Sequence, residues 1–146
     1  MFDTAPLLET DTICIRFLEQ EIVIFERTEV ALPASEDELR AVYQRMVEAM
    51  PAQRAQLDLV VDSRRAQGRN DEAFERIQGE FRDPLFGGFR RLAVLVNSPT
   101  GRLQVSRYKN ERPEPITVFN EMDDALEMLR AVRSLWPTAY ASIPPR

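Results

Sequence analysis

Leu59, Val60 and Val61 form an apolar run with no polar alternation, and within sixteen residues the chain passes from it through Asp62 and an arginine-rich loop into an acidic helix start, LDLVVDSRRAQGRNDE from Leu57 to Glu72. A strand with one wet face alternates; a run that does not alternate is buried on both faces, the habit of central strands in α/β sheets. A second run of this kind, RLAVLV from Arg91 to Val96, follows one helix length later. Strand, crossover helix and strand make a βαβ unit, whose connection is right-handed almost without exception.

The remaining elements arrange themselves around that unit. ICIRFL, from Ile13 to Leu18, and IVIFER, from Ile22 to Arg27, are β-rich and separated by Glu19, Gln20 and Glu21, the length of a hairpin loop. Ile13, Ile15 and Phe17 share one face of the first, and Arg16 on the other face marks a partly wet sheet edge. After TEVALPA, Ser35 caps a helix with Glu38 three residues on and Glu36 and Asp37 at its positive end. Leu39, Val42, Tyr43, Met46, Val47 and Met50 form its apolar stripe, and Pro51 ends it. Asn70 is the expected cap of the second helix, with Ala73, Phe74, Ile77 and Phe81 inward, while RDPLFGGF around Pro84 reads as a turn.

Past Val96, Ser98 and Pro99 predict a short, half-exposed helix with Leu103, Val105 and Tyr108 as its weak apolar face. ITVF, from Ile116 to Phe119, is a short strand, and Asn120 is the expected cap of a final helix that Pro137 stops. Leu59, Val61, Val94, Leu95, Leu126 and Leu129 are the expected core. The fold class is α/β, with main order ββαβαβα and a mixed, mostly parallel sheet of four to five strands flanked by helices. A chain of 146 residues makes one such domain, 1–146, with a core at about 13–136 and tails at 1–10 and 137–146. At this length roughly 68–70% of the unfolded surface is buried on folding.

Composition narrows the chemistry. There is no histidine, so the commonest general base, the usual nucleophile dyads and the commonest metal ligand are missing together. The single cysteine, Cys14, allows no intramolecular disulfide and no cysteine zinc cluster; it lies in a strand and reads as a small buried hydrophobe. No metal and no cofactor are expected. A net charge of −5 repels phosphate backbones, which argues against nucleic acid. No stretch approaches the ~20 apolar residues of a membrane span, and the N-terminus lacks a basic flank and apolar core. A cytoplasmic location is expected.

The segments LDLVVDSRRAQGRND, RLAVLVN and ITVFNEMDDALEML together resemble a STAS domain, the fold of anti-sigma-factor antagonists, in its stand-alone bacterial form. The likeness covers about residues 13–136. It implies a non-enzymatic regulatory role through binding another protein, often a kinase-like anti-sigma factor, with no catalytic residues; a homodimer is left open. In that family a strand Asp is followed by Asp-Ser-Ser-Gly or Asp-Thr-Ser-Gly at the next helix start, where the hydroxyl residue after Asp is phosphorylated. Asp62 matches the strand Asp, Asn70 stands where the family has Asp, and Asp71 stands at the phosphorylated position. The partner surface implied is Asp62, Ser63, Arg64, Arg65, Arg69, Asn70 and Asp71, with a permanent carboxylate in place of a switchable hydroxyl. Ordinary helix capping explains Asn70 and Asp71 equally well.

A second reading comes from the residues alone. Ligands of open α/β sheets sit beyond the carboxyl ends of the parallel strands, here Asp62, Asn97 and Asn120. The loops 63–70 and 97–101 should therefore lie side by side, and Arg64, Arg65 or Arg69 could hold a phosphoester or other anion against Asn97, Ser98, Thr100 and Gly101 at a helix start. With one glycine and no following lysine, NSPTGR is not a nucleotide-binding loop. An enzyme would have to use Asp62 or another carboxylate as base, unaided by histidine or metal.

Overall fold

The computed structural model describes residues 5–69, 71–97 and 116–141, with side chains through Ala131. Its described strands are β1 (Leu8–Glu9), β2 (Ile13–Glu19), β3 (Ile22–Arg27), β4 (Asp58–Asp62), β5 (Arg91–Leu95) and β6 (Ile116–Phe119). The helices are α1 (Glu36–Ala49), α2 (Glu72–Phe86) and α3 (Met122–Ala141). The strands form one six-stranded sheet in sequential order, antiparallel from β1 to β3 and parallel from β3 to β6.

The unalternated runs are central, as their sequence demands: all five residues of β4 are buried, and Leu59 and Val60 are fully enclosed. Alternate residues feed two cores. Val23, Phe25, Leu59, Val61, Leu92 and Val94 face α1 and α2. Ile22, Ile24, Val60, Ala93 and Leu95 face Ala125, Leu126 and Leu129 of α3. Each enclosed Val, Ile or Leu contributes about 1.5–3 kcal/mol relative to exposure. Because β3, β4 and β5 add in one direction, right-handed crossovers place α1 and α2 on the same face. Arg40–Glu80 and Arg76–Glu36 ion pairs cross between these helices, and the Tyr43 and Phe81 rings stack at 5.4 Å.

Several expectations need correction. Among the described residues the sheet has six strands, because Leu8 and Glu9 pair with Ile15 and Cys14 and make part of the expected N-terminal tail into an edge strand. β2 is thus interior, and Arg16 is half-buried. Helix α2 continues through Pro84 to Phe86, and α3 through Pro137 to Ala141. Both errors have one cause: proline removes a hydrogen-bond donor, but its fixed φ near −65° is a helical value, so it weakens a helix without always ending it. Arg54 then supports the end of α2, donating from Nη1 to the carbonyls of Leu85 (3.1 Å) and Gly87 (3.0 Å). The cap of α2 is Asp71, one residue later than expected; α3 begins at Met122, and the Ala125 N–H donates to the Glu121 carbonyl at 3.3 Å. Ser35 caps α1 as expected, accepting from the Glu38 N–H at 3.4 Å. Asn70 and the helix expected from Ser98 to Tyr108 lie outside the described residues.

Candidate functional site

The carboxyl ends of β4 and β5 are tied together by the Ser63 N–H, which donates to the Leu95 carbonyl at 3.0 Å. Asn97 Nδ2 donates to the Arg64 carbonyl at 2.8 Å, so the start of the arginine loop and the end of β5 lie side by side, as the strand-end argument requires. Ser98, Thr100 and Gly101 lie outside the described residues. Ala66 closes a turn on Ser63, its N–H donating to the Ser63 carbonyl at 3.2 Å.

Asp62 is the buried centre of this region, 4% exposed. Its Oδ1 accepts from the Arg64 backbone N–H (3.1 Å) and Nε (3.0 Å), and its Oδ2 from Arg64 Nη2 (2.9 Å). This two-pronged guanidinium grip is the strong geometry for an Arg–carboxylate pair. Hydrogen bonding to Asp62 raises the Arg64 pKa further. Arg64 Nη1 also donates to the Asn120 carbonyl at 3.4 Å, so this side chain bridges from the end of β4 to the end of β6.

The other two arginines are also paired. Arg65 pairs with Glu29. Arg69 donates from Nε to Asp71 Oδ2 (2.5 Å) and from Nη1 to the Pro33 carbonyl (2.9 Å), with its guanidinium 4.8 Å from the centre of the Phe74 ring. Asp71 in turn caps α2, its Oδ1 accepting from the Phe74 N–H at 3.0 Å. Both its oxygens are engaged, and the Arg69 hydrogen bond, followed by that of the Phe74 N–H, holds its pKa below the usual aspartate value.

The two strand ends thus meet as the sequence implies, but their charge is not free. Arg64, Arg65 and Arg69 each meet a carboxylate, so part of the loop's positive charge is already neutralised within the chain. The described strands β3 to β6 also add in one direction without reversal, so they form no crevice of the kind that ligands enter at an order switch. Sequence reasoning missed Arg27 at the end of β3. Its Nε is buried without a hydrogen-bond partner among the described residues, and burial lowers its pKa. Nearby Tyr43 has its phenol pushed up to about 12, mainly by burial. The only hint was an arginine at the end of a strand that is apolar from Ile22 to Phe25. At the opposite end of the sheet, buried Asp58 takes Arg90 Nε and Nη2, both at 3.1 Å.

A solved structure with this architecture is that of an uncharacterised protein of the DUF3478 family from Shewanella loihica, described as having a SpoIIAA-like fold. It superposes with a TM-score of 0.56 over 84% of this chain and 97% of that one, at 12% identity. The fold is SpoIIAA-like. That places the chain in the STAS-like architecture, and identity this low carries the fold alone. No family model matches the chain, and no curated protein matches it in sequence. No helix among the described residues is long and apolar enough to cross a membrane, and no group of three or more acidic, cysteine or histidine side chains among them is arranged to hold a metal.

Proposed function

We propose that this chain is a non-enzymatic regulatory module that binds another protein, in the manner of anti-sigma-factor antagonists, through the surface running from Ser63 to the cap of α2. The observation that carries this reading is the internal neutralisation of the arginine loop. With Arg64 on Asp62, Arg65 on Glu29 and Arg69 on Asp71, the loop presents a shaped, pre-ordered surface rather than free cations waiting for a small anion. Pre-ordered surfaces lose less freedom on association, which favours protein recognition. The non-enzymatic part is supported by Asp62: the carboxylate best placed to act as a base has both oxygens held by Arg64.

The position that aligns with the family's phosphorylated hydroxyl is Asp71, whose carboxylate is occupied by Arg69 and the Phe74 N–H. We read this as a domain held in one binding state, since a fixed negative charge at the helix start supplies part of what a phosphoryl group would bring. The test uses the full chain immobilised against lysate of its own host, beside Asp71→Ala and Arg65→Glu forms with unchanged circular dichroism. A partner retained by the wild type and lost at least tenfold by either variant supports the reading. A melting temperature raised by phosphate or nucleotides, without such a partner, replaces it with anion binding. Stoichiometric phosphate on Ser63 or Ser98 in protein from the host would refute the single-state reading.

A further inference from the structure

A second surface lies between the edge strand β1 and helix α1, where a cleft of about 230 Å³ opens at the side of the sheet. Leu8 and Ile13 line it from the sheet, and Glu38, Val42 and Arg45, three positions on one stripe of α1, line it from the helix. The opposite wall is the β1–β2 turn, held in shape by hydrogen bonds. The Thr12 and Ile13 N–H groups donate to Thr10 Oγ1, both at 3.2 Å, and Thr28 Oγ1 donates to the Asp11 carbonyl at 2.5 Å. The cleft is thus preformed. Its volume exceeds the ~150 Å³ that accommodates a benzene ring, so one large apolar side chain fits. Beside it Val30, next in the chain to the lining residue Ala31, is 40% exposed.

Two further features say what would fill it. β1 is the outermost strand of the sheet, so one side of its backbone has no strand partner among the described residues. An extended segment can hydrogen-bond to such an edge while its side chains enter a neighbouring groove. The cleft's charges are also separated. Glu38 stands in the first turn of α1, Asp11 lies beside Thr28 on the chain that leads into that helix, and Arg45 is seven residues further along it, about 10 Å at 1.5 Å per residue. None of the three makes an ion pair among the described residues, in contrast to Arg64, Arg65 and Arg69.

We infer that this cleft receives an extended segment of a partner protein carrying a Lys or Arg, a large apolar residue and an Asp or Glu at alternate positions. The basic group meets Asp11 and Glu38, the apolar side chain enters between Leu8 and Val42, and the acid meets Arg45. Alternate residues of a strand share a face, and three of them span about 13 Å, which matches the charge separation within the reach of long side chains. This surface is separate from the strand-end surface and does not depend on its role.

Selection of a random twelve-residue peptide library displayed on phage, against the intact chain, tests the inference. Enriched peptides are expected to carry the basic, apolar, acidic pattern. Their affinity should fall at least tenfold for the Asp11→Arg, Glu38→Arg double variant and for Val42→Glu. Asp11 and Glu38 are exposed, so the double variant should still fold, with a melting temperature slightly lowered because Glu38 stands in the first turn of α1, and it keeps the test valid even where Val42→Glu fails to fold. No enrichment, an enriched pattern without the two charges, or peptides that bind the double variant unchanged would each overturn the inference. A dimer in sedimentation that the double variant abolishes would assign the cleft to a second copy of the chain and overturn it too.

Discussion

Removing the Arg64 side chain should destabilise the protein more than altering the buried acid it holds. The Asp62 side chain is 5% exposed and that of Arg64 is 29% exposed. In Arg64→Ala the carboxylate stays buried with only the residue 64 N–H as donor, whereas in Asp62→Asn the guanidinium can turn to water. A unit pair about 4 Å apart at an effective dielectric near 20 interacts by about 4 kcal/mol, part of which offsets the desolvation of Asp62. Stranding a buried charge costs about 3–5 kcal/mol, and the partial exposure of this pair brings the expected loss for Arg64→Ala to about 2–4 kcal/mol. Asp62→Asn keeps the volume and one acceptor oxygen, and should lose about 1 kcal/mol. The double variant should then be more stable than Arg64→Ala alone, because the stranded charge is gone. Urea unfolding at pH 7, followed by circular dichroism at 222 nm, measures all three. A loss under ~0.5 kcal/mol for Arg64→Ala, or no recovery in the double variant, would show that this pair is not what closes the strand ends.

Three further outcomes are expected. Leu129→Ala, at a fully enclosed position under the sheet, should lose about 2–5 kcal/mol in the same titration, and a loss within ~0.5 kcal/mol would remove α3 from the core. Tyr43 should make the protein less stable in alkali: its folded pKa of about 12 exceeds the ordinary 10.0, so the unfolded chain releases that proton first. Stability then falls as pH rises from 10 to 12, by at most about 2–3 kcal/mol; Tyr43→Phe should flatten the fall, and equal slopes in denaturant titrations across that range would contradict it. Asp71→Ser should create a residue that a kinase acting on antagonist domains can phosphorylate, read by intact mass, while the wild type stays unmodified at the start of α2.

How much of this was legible beforehand depended on the range of the interaction. LVV and RLAVLV identified buried parallel strands because burial on both faces is written in the side chains themselves, and the meeting of β4 and β5 followed from the strand, helix, strand order of a βαβ unit. The stripe through Leu39, Tyr43 and Met46 and the cap at Ser35 are likewise local, as is the loop between Asp62 and Asp71. Two-residue β1 carries too little pattern to be recognised and exists because β2 offers it an edge. Pro84 and Pro137 looked like stops because propensity is a local average, whereas tertiary packing supplies most of a helix's stability. The arginine loop shows the division most clearly. Its three positive charges are visible in SRRAQGR, but Arg65 is neutralised by Glu29, 36 residues earlier, and Arg64 reaches the carbonyl of Asn120, 56 residues later. Sequence determined that cations gather at the strand ends; only the folded chain decided which acids face them, because pairing over such separations is set by which strands and helices become neighbours.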